Sequence, residues 1–296
     1  MSPSNSPRDR KKITIRTFAI KKKNNEKISM LTAYDYPMAL AAERAEIDSI
    51  LVGDSLGMVV LGYDTTLPVT MQDMLHHCKA VARGAKYPLL IGDMPFMSYQ
   101  VSAEDALRNA GRFLQEAGMD AIKLEGGRER KKAIELIVSA GIPVMGHLGL
   151  TPQSVHQLGG FRAQGKTAVD ATKLLEDALI LQDAGCFSIV LETIPARLAG
   201  LVSETLEIPT IGIGAGVDCD GQVLVTHDLL GMFERFVPKF VKQYSHLHQE
   251  MVQAFTDYKL DVESRLFPED EHSFKMLEKD WNTLLDELEK TPRIRA

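Results

Sequence analysis

Short apolar runs alternate with longer amphipathic stretches along the chain as far as about residue 235. The runs are Ser29–Ala33, Ile50–Val52, Leu89–Ile91, Ala121–Leu124, Val144–Met145, Ser188–Leu191, Thr210–Ile213 and, more weakly, Gln222–Val225. They are short and rich in β-branched residues, the pattern of strands buried on both faces of a parallel sheet. The stretches between them carry helix signals. Pro37 suits a first helical turn ahead of Met38, Leu40 and Ala41. Thr70 with Asp73, and Ser102 with Asp105, read as capping devices, and Gly118 stops the second of these helices. Lys131–Ala140 runs into Gly141 and Pro143, Ala168–Ala184 into Gly185, and Pro195–Glu207 into Pro209.

Such repetition predicts a (β/α)8 barrel. An open doubly wound sheet shares the alternation, but no Gly-x-Gly-x-x-Gly follows the first run. We expect one barrel domain over residues 13–276. Residues 1–12 read as a disordered tail, with an organelle transit peptide as the weaker alternative. From Glu234 the pattern turns helical and charged, and Ser264–Phe274 reads as a surface arm. Residues 277–296 form a C-terminal extension, helical over Leu277–Leu288, at a subunit contact or simply solvated.

Composition narrows the function. Lys plus Arg number 34 and Asp plus Glu 40, a net charge of −6, so a nucleic-acid partner is not expected. No apolar run approaches the ~20 residues of a membrane span. Cys78, Cys186 and Cys219 are scattered, which points away from disulfides and zinc knuckles and toward a reducing, cytoplasmic setting.

Barrel chemistry gathers where strands end. Those ends read Gly53-Asp54-Ser55, Gly92-Asp93-Met94-Pro95, Lys123-Leu124-Glu125-Gly126-Gly127, Gly146-His147-Leu148-Gly149 and Leu191-Glu192-Thr193. One acid after a strand is commonly a helix cap or turn residue. Lys123 beside Glu125 could be a plain ion pair, His147 could bond a loop carbonyl, and Glu192 could cap the next helix. Acids at three neighbouring strand ends, with another across the mouth, favour a shared function. Crowded carboxylates repel each other, and Mg2+ relieves that with oxygen ligands and open positions. Asp54, Asp93 and Glu125 are the natural ligand trio, and no His-Cys cluster competes for zinc. Gly212-Ile213-Gly214-Ala215-Gly216 could cradle a phosphate, but without a nearby Arg or Lys it reads better as a place where backbone passes close to a ligand or a neighbouring loop.

At these residues the chain resembles the 3-methyl-2-oxobutanoate hydroxymethyltransferase (ketopantoate hydroxymethyltransferase) family, from about Ile13 to Met276. The motifs are Leu31-Thr32-Ala33-Tyr34-Asp35, Val52-Gly53-Asp54-Ser55-Leu56-Gly57-Met58, Gly92-Asp93-Met94-Pro95-Phe96, Lys123 to Gly127, Gly146 to Ser154 and Ile211 to Gly216. The resemblance implies a barrel like those that bind phosphoenolpyruvate. It also implies hydroxymethyl transfer from 5,10-methylenetetrahydrofolate to 3-methyl-2-oxobutanoate, giving 2-dehydropantoate for pantothenate synthesis. By position, Asp54, Asp93 and Glu125 match the family's magnesium site, Glu125 through water. Asp54, Ser55, Asp93 and Lys123 match its oxoacid site, and Glu192 its proton acceptor. The family implies a homo-oligomer, often a decamer. His147 is expected to orient the substrate or a water. Two other readings are a carbon–carbon lyase of the same barrel type, which would need a mobile cysteine loop that Cys78 and Cys186 are not placed to supply, and a barrel scaffold without turnover.

Overall fold

Each apolar run forms a strand in the computed structural model, which describes residues 10–290. The strands are β1 (Ile28–Thr32), β2 (Ser49–Val52), β3 (Leu89–Asp93), β4 (Ala121–Lys123), β5 (Val144–Gly149), β6 (Ser188–Glu192), β7 (Thr210–Ile213) and β8 (Gly221–Leu224). All neighbours pair in parallel, and β1 closes on β8 with Met30 opposite Val223, so the sheet is a closed barrel in chain order. The (β/α)8 expectation is met.

Two apolar layers explain why the strands read as unbroken runs. Leu89, Ile91, Ala121, Met145, Val190 and Ile211 point into the barrel. Leu90, Ile122, Val144, Ile189 and Leu191 point outward and pack beneath the surrounding helices. Burying each large aliphatic side chain contributes roughly 1.5–3 kcal/mol, so both faces reward apolar residues at successive positions. Thr70 and Asp73 form the capping box, Ser102 caps the next helix, and Gly118 ends that helix in the left-handed region at φ 69°.

The helix Ile15–Lys23 was not legible. It is lysine-rich, and Phe18 is its only buried residue. That ring joins the inner apolar layer and meets Phe187 edge-on at 5.8 Å, plugging the end of the barrel where the strands begin. Ahead of it, Arg10 donates to the Glu43 carbonyl at 2.6 Å, and Lys12 pairs with Asp120 at 2.5 Å. The tail expected to be disordered is therefore held in place at residues 10–12, while residues 1–9 lie outside the described residues.

The helix expected from Glu234 starts only at Leu247, and residues 231–246 run without regular structure. The barrel unit ends at Ser245 and a second unit begins at His246, so the boundary placed at residue 276 falls inside that second unit. The earlier break has a physical cause: the helix Leu247–Glu263 buries none of its side chains. Within this unit Tyr258 meets Phe267 edge-on at 5.7 Å, and Phe267 meets His272 at a tilt at 5.3 Å. The helix Glu278–Lys290 follows, and the rest of the expected extension, 291–296, lies outside the described residues. Among the described residues no helix is long and apolar enough to cross a membrane.

Candidate active site

Side chains alternate along a strand, so residues two apart share a face. Ile91, Ala121, Met145 and Val190 face the barrel interior. Two positions further on, the same alternation aims Asp93, Lys123, His147 and Glu192 into the mouth. Register brings Asp93 beside Lys123 and Gly149 beside Glu192. Asp54 and Ser55 follow β2, and Glu125 follows β4. All the site residues read from the sequence line one cavity of about 400 Å³.

The polar groups are tightly interlocked. Lys123 Nζ lies 2.7 Å from Asp93 Oδ1 and 3.3 Å from His147 Nδ1. His147 Nδ1 also lies 3.5 Å from Glu125 Oε1, so the ammonium and the carboxylate compete for that nitrogen. On the other edge of the ring, His147 Nε2 stands 3.2 Å from Glu192 Oε2. The Asp54 amide donates to Asp93 Oδ2 at 3.2 Å, and Ser55 Oγ shares a 2.8 Å hydrogen bond with the Tyr34 hydroxyl.

Gln153, for which the sequence offered no role, ties the acids together. Its amide N–H donates to Glu125 Oε2 at 3.0 Å, and its Nε2 donates to Asp54 Oδ2 and the Met94 carbonyl, each at 2.9 Å. The Tyr99 hydroxyl donates to Gln153 Oε1 at 2.6 Å and fixes which way the amide points. The signal lay in Thr151-Pro152-Gln153-Ser154 after β5, but nothing in the sequence says that this short turn folds back over β2 and β4.

Burial sets the electrostatics. Asp54, Asp93, Lys123, Glu125 and His147 are each at most 4% exposed. Burial, then repulsion from Asp93 and Glu125, raises the Asp54 carboxyl well above the usual carboxylate range. Burial raises Asp93 too, against the pull of Lys123. For Lys123 burial acts downward, but Asp93, Glu125 and Asp54 outweigh it and the ammonium is held more firmly than usual. Glu125 resists its burial through His147 and Lys123 and falls below the usual range. His147, disfavoured as a cation by burial and by Lys123, is still pushed up to about 9 by Glu125 and Glu192.

Do these residues suit a divalent cation? Acids outnumber the cations around them, and the donors are all oxygen, which suits a hard metal. Asp93 Oδ1 is buried without a well-directed hydrogen bond despite its contact with Lys123, so it keeps lone pairs free. No three His, Cys, Asp or Glu side chains among the described residues converge closely enough to enclose an ion by themselves. The ammonium of Lys123 sits on Asp93 instead. In charge and donor type the group fits; a full set of ligands would need water or substrate oxygens.

The glycine-rich turn after β7 has a packing role. Gly214 takes φ +63°, and a Cβ there would stand 2.7 Å from the Phe240 ring. The backbone thus passes close to a neighbouring loop, as expected. The cysteines Cys78, Cys186 and Cys219 are free and buried, and none lines the cavity. Burial pushes the Cys186 thiol up to about 12, so no reactive cysteine serves this mouth.

A closed parallel barrel with acids, a lysine and a histidine buried at its strand ends defines an enzyme of the barrel class. Its fold is similar to that of the solved 2,3-dimethylmalate lyase, a PEP mutase/isocitrate lyase superfamily member, with a TM-score of 0.56, 13% identity, and 95% of this chain and 98% of that one covered. The family model described as Ketopantoate hydroxymethyltransferase matches residues 12–270. The 3-methyl-2-oxobutanoate hydroxymethyltransferase of Carboxydothermus hydrogenoformans is 58% identical over 90% of this chain and 96% of its own length. That of Syntrophobacter fumaroxidans is 62% identical over 88% and 92%. The chain belongs to the ketopantoate hydroxymethyltransferase family.

Proposed function

We propose that this chain transfers a hydroxymethyl group from 5,10-methylenetetrahydrofolate to 3-methyl-2-oxobutanoate, giving 2-dehydropantoate and tetrahydrofolate, with water supplying the hydroxyl. This is a step of pantothenate synthesis. The carrying observation is that Asp54, Ser55, Asp93, Lys123, Glu125, His147 and Glu192 line one cavity, in a chain whose family is named for this transfer. Asp54 and Asp93 would hold Mg2+, and Glu125 would reach it through water. When bound, the ion would act as a Lewis acid on the oxoacid and make its neighbouring C–H more acidic.

The chain's own groups do the rest. The Glu192 carboxylate takes the proton from C3 of the oxoacid. His147, against Glu192 at one nitrogen and facing Glu125 and Lys123 at the other, fixes where that carboxylate points. Lys123 stays protonated and stabilises the negative charge that grows on the oxoacid's oxygen. Ser55, oriented by Tyr34, donates to the substrate carboxylate. The C3 carbon then forms its new bond to the one-carbon unit, whose two bonds to the folate nitrogens break as water supplies the hydroxyl and tetrahydrofolate is released.

The catalytic domain is proposed to be the barrel unit that ends at Ser245, with the residues beyond it as an extension. A cytoplasmic homo-oligomer, in the family's decameric form, is part of the proposal; bulky apolar side chains left exposed in the second unit, Phe255, Phe274 and Leu277 among them, favour self-association. The test is a coupled assay with 3-methyl-2-oxobutanoate and methylenetetrahydrofolate, with and without EDTA, run beside deuterium exchange at C3. Turnover that is folate-dependent and abolished by EDTA is expected. Lyase cleavage of a larger oxoacid, or no turnover at all, would replace this reading with one of its rivals.

A further inference from the structure

The cavity has two unlike halves. Its floor is the polar ring at the ends of β2 to β6. The lining contributed after β8 is largely apolar: Phe233 and Phe236 meet edge-on with centroids 6.0 Å apart, and Phe240 and Pro238 line the cavity with them. A small branched oxoacid on the floor leaves most of the roughly 400 Å³ unfilled. Cavities of ~300–1,000 Å³ are the size that encloses drug-sized ligands.

Two charged residues after β8 line the cavity, Lys239 and Asp228. Asp228 belongs to the short helix Thr226–Leu229, which the Thr226 amide anchors to Thr32 Oγ1 at 3.0 Å. It is 8% exposed and lines the cavity, yet among the described residues no donor or cation pairs with its carboxyl. Burial pushes its carboxyl up to about 6. A buried, unpaired carboxyl costs stability until something donates to it. A ligand that satisfies the carboxyl and covers the rings offers N–H groups along one edge and a flat apolar body.

We propose that Asp228 and the wall of Phe233, Phe236 and Phe240 form the subsite for the pterin head of the one-carbon donor. The two carboxylate oxygens accept from the amino group and adjacent ring N–H of its aminopyrimidinone edge, while the bicycle packs on the rings. This rests on the folate-dependent reading above and deepens it by saying where the folate sits. A simple amine would satisfy Asp228 but would leave the aromatic wall uncovered.

The experiment titrates tetrahydrofolate into the full-length protein by calorimetry and measures KM for each substrate. Asp228→Asn, nearly the same size, is expected to weaken tetrahydrofolate binding about ten- to a hundredfold, the effect of losing charge-assisted hydrogen bonds in a buried site. KM for methylenetetrahydrofolate should rise with it while KM for the oxoacid stays put. Phe236→Leu and Phe240→Leu should each weaken tetrahydrofolate binding severalfold, which supports the wall independently of Asp228. Wild-type affinity in Asp228→Asn overturns the subsite, and so does a variant that moves only the oxoacid KM. Should the wild-type protein exchange the C3 proton yet bind no tetrahydrofolate, the donor's identity fails and the subsite with it. Should it bind tetrahydrofolate but exchange nothing, the deprotonation mechanism fails and the subsite stands.

Discussion

At the level of Ile91, Ala121, Met145 and Val190 the barrel interior is apolar and closed, with Phe18 beneath it. Two residues further along the same strands it holds Asp93, Lys123, His147 and Glu192, with all but Glu192 equally buried. The backbone is the same in both layers; only the side chains change. The lower layer is stabilised by leaving water. The upper layer is destabilised by leaving water and survives because each charge has a partner within hydrogen-bonding or ion-pair reach. Function occupies the layer where burial is costly, because charges held dry act more strongly on a substrate than they would in water.

The sharpest way to break that contrast is Glu192→Gln, which should slow C3 deuterium exchange by ~10²–10⁴-fold, the usual worth of a positioned general base. Calorimetry should show oxoacid binding nearly intact, and unchanged exchange would remove Glu192 as the base. Lys123→Met comes next. Leaving Asp93 buried without its partner should cost ~3–5 kcal/mol in denaturant unfolding, whereas adding Asp93→Leu should restore much of that stability and none of the activity. In the apolar layer, Phe18→Ala should cost a similar ~3–5 kcal/mol but leave KM for the oxoacid unmoved. Equal damage to KM would mean that the two layers are not separable. Asp54→Ala should lose the Mg2+-dependent part of oxoacid binding, tested by titration with and without the ion; equal affinity in both conditions would contradict a metal role.

The smallest effect concerns pH. The carboxyl of Asp228 is raised in the folded protein to about 6, above its unfolded value. The folded state therefore holds that proton more tightly, and this contribution to stability is full at low pH and fades as pH rises through about 6. Asp228→Asn lacks the titration, so its Tm relative to wild type should climb from pH 4 toward pH 8. A constant offset across that range would show that the group does not titrate as placed.

Much of this was legible because periodicity and caps are local. The strands fell within a residue or two of their runs, except that β5 continues through His147 to Gly149, an end that its glycines disguised. Asp54, Asp93, Lys123, Glu125 and Glu192 were readable from where strands stop. Gln153 and Tyr99 were not, because their role is a hydrogen-bond path between segments far apart in the chain. The plug at Phe18 was hidden in a lysine-rich helix that gives almost no periodic signal.

The order of strands and helices, the acids at the strand ends and the kinship to the ketopantoate hydroxymethyltransferase family were written in the chain itself. They depend on side-chain alternation, capping and extended motifs, which a linear pattern records. Which atoms meet was decided only by closure of the barrel: Lys123 on Asp93, and His147 between Glu125 and Glu192. Closure brings neighbouring strand ends to within hydrogen-bonding distance, and at that range burial and partner geometry outweigh anything that sequence spacing can express.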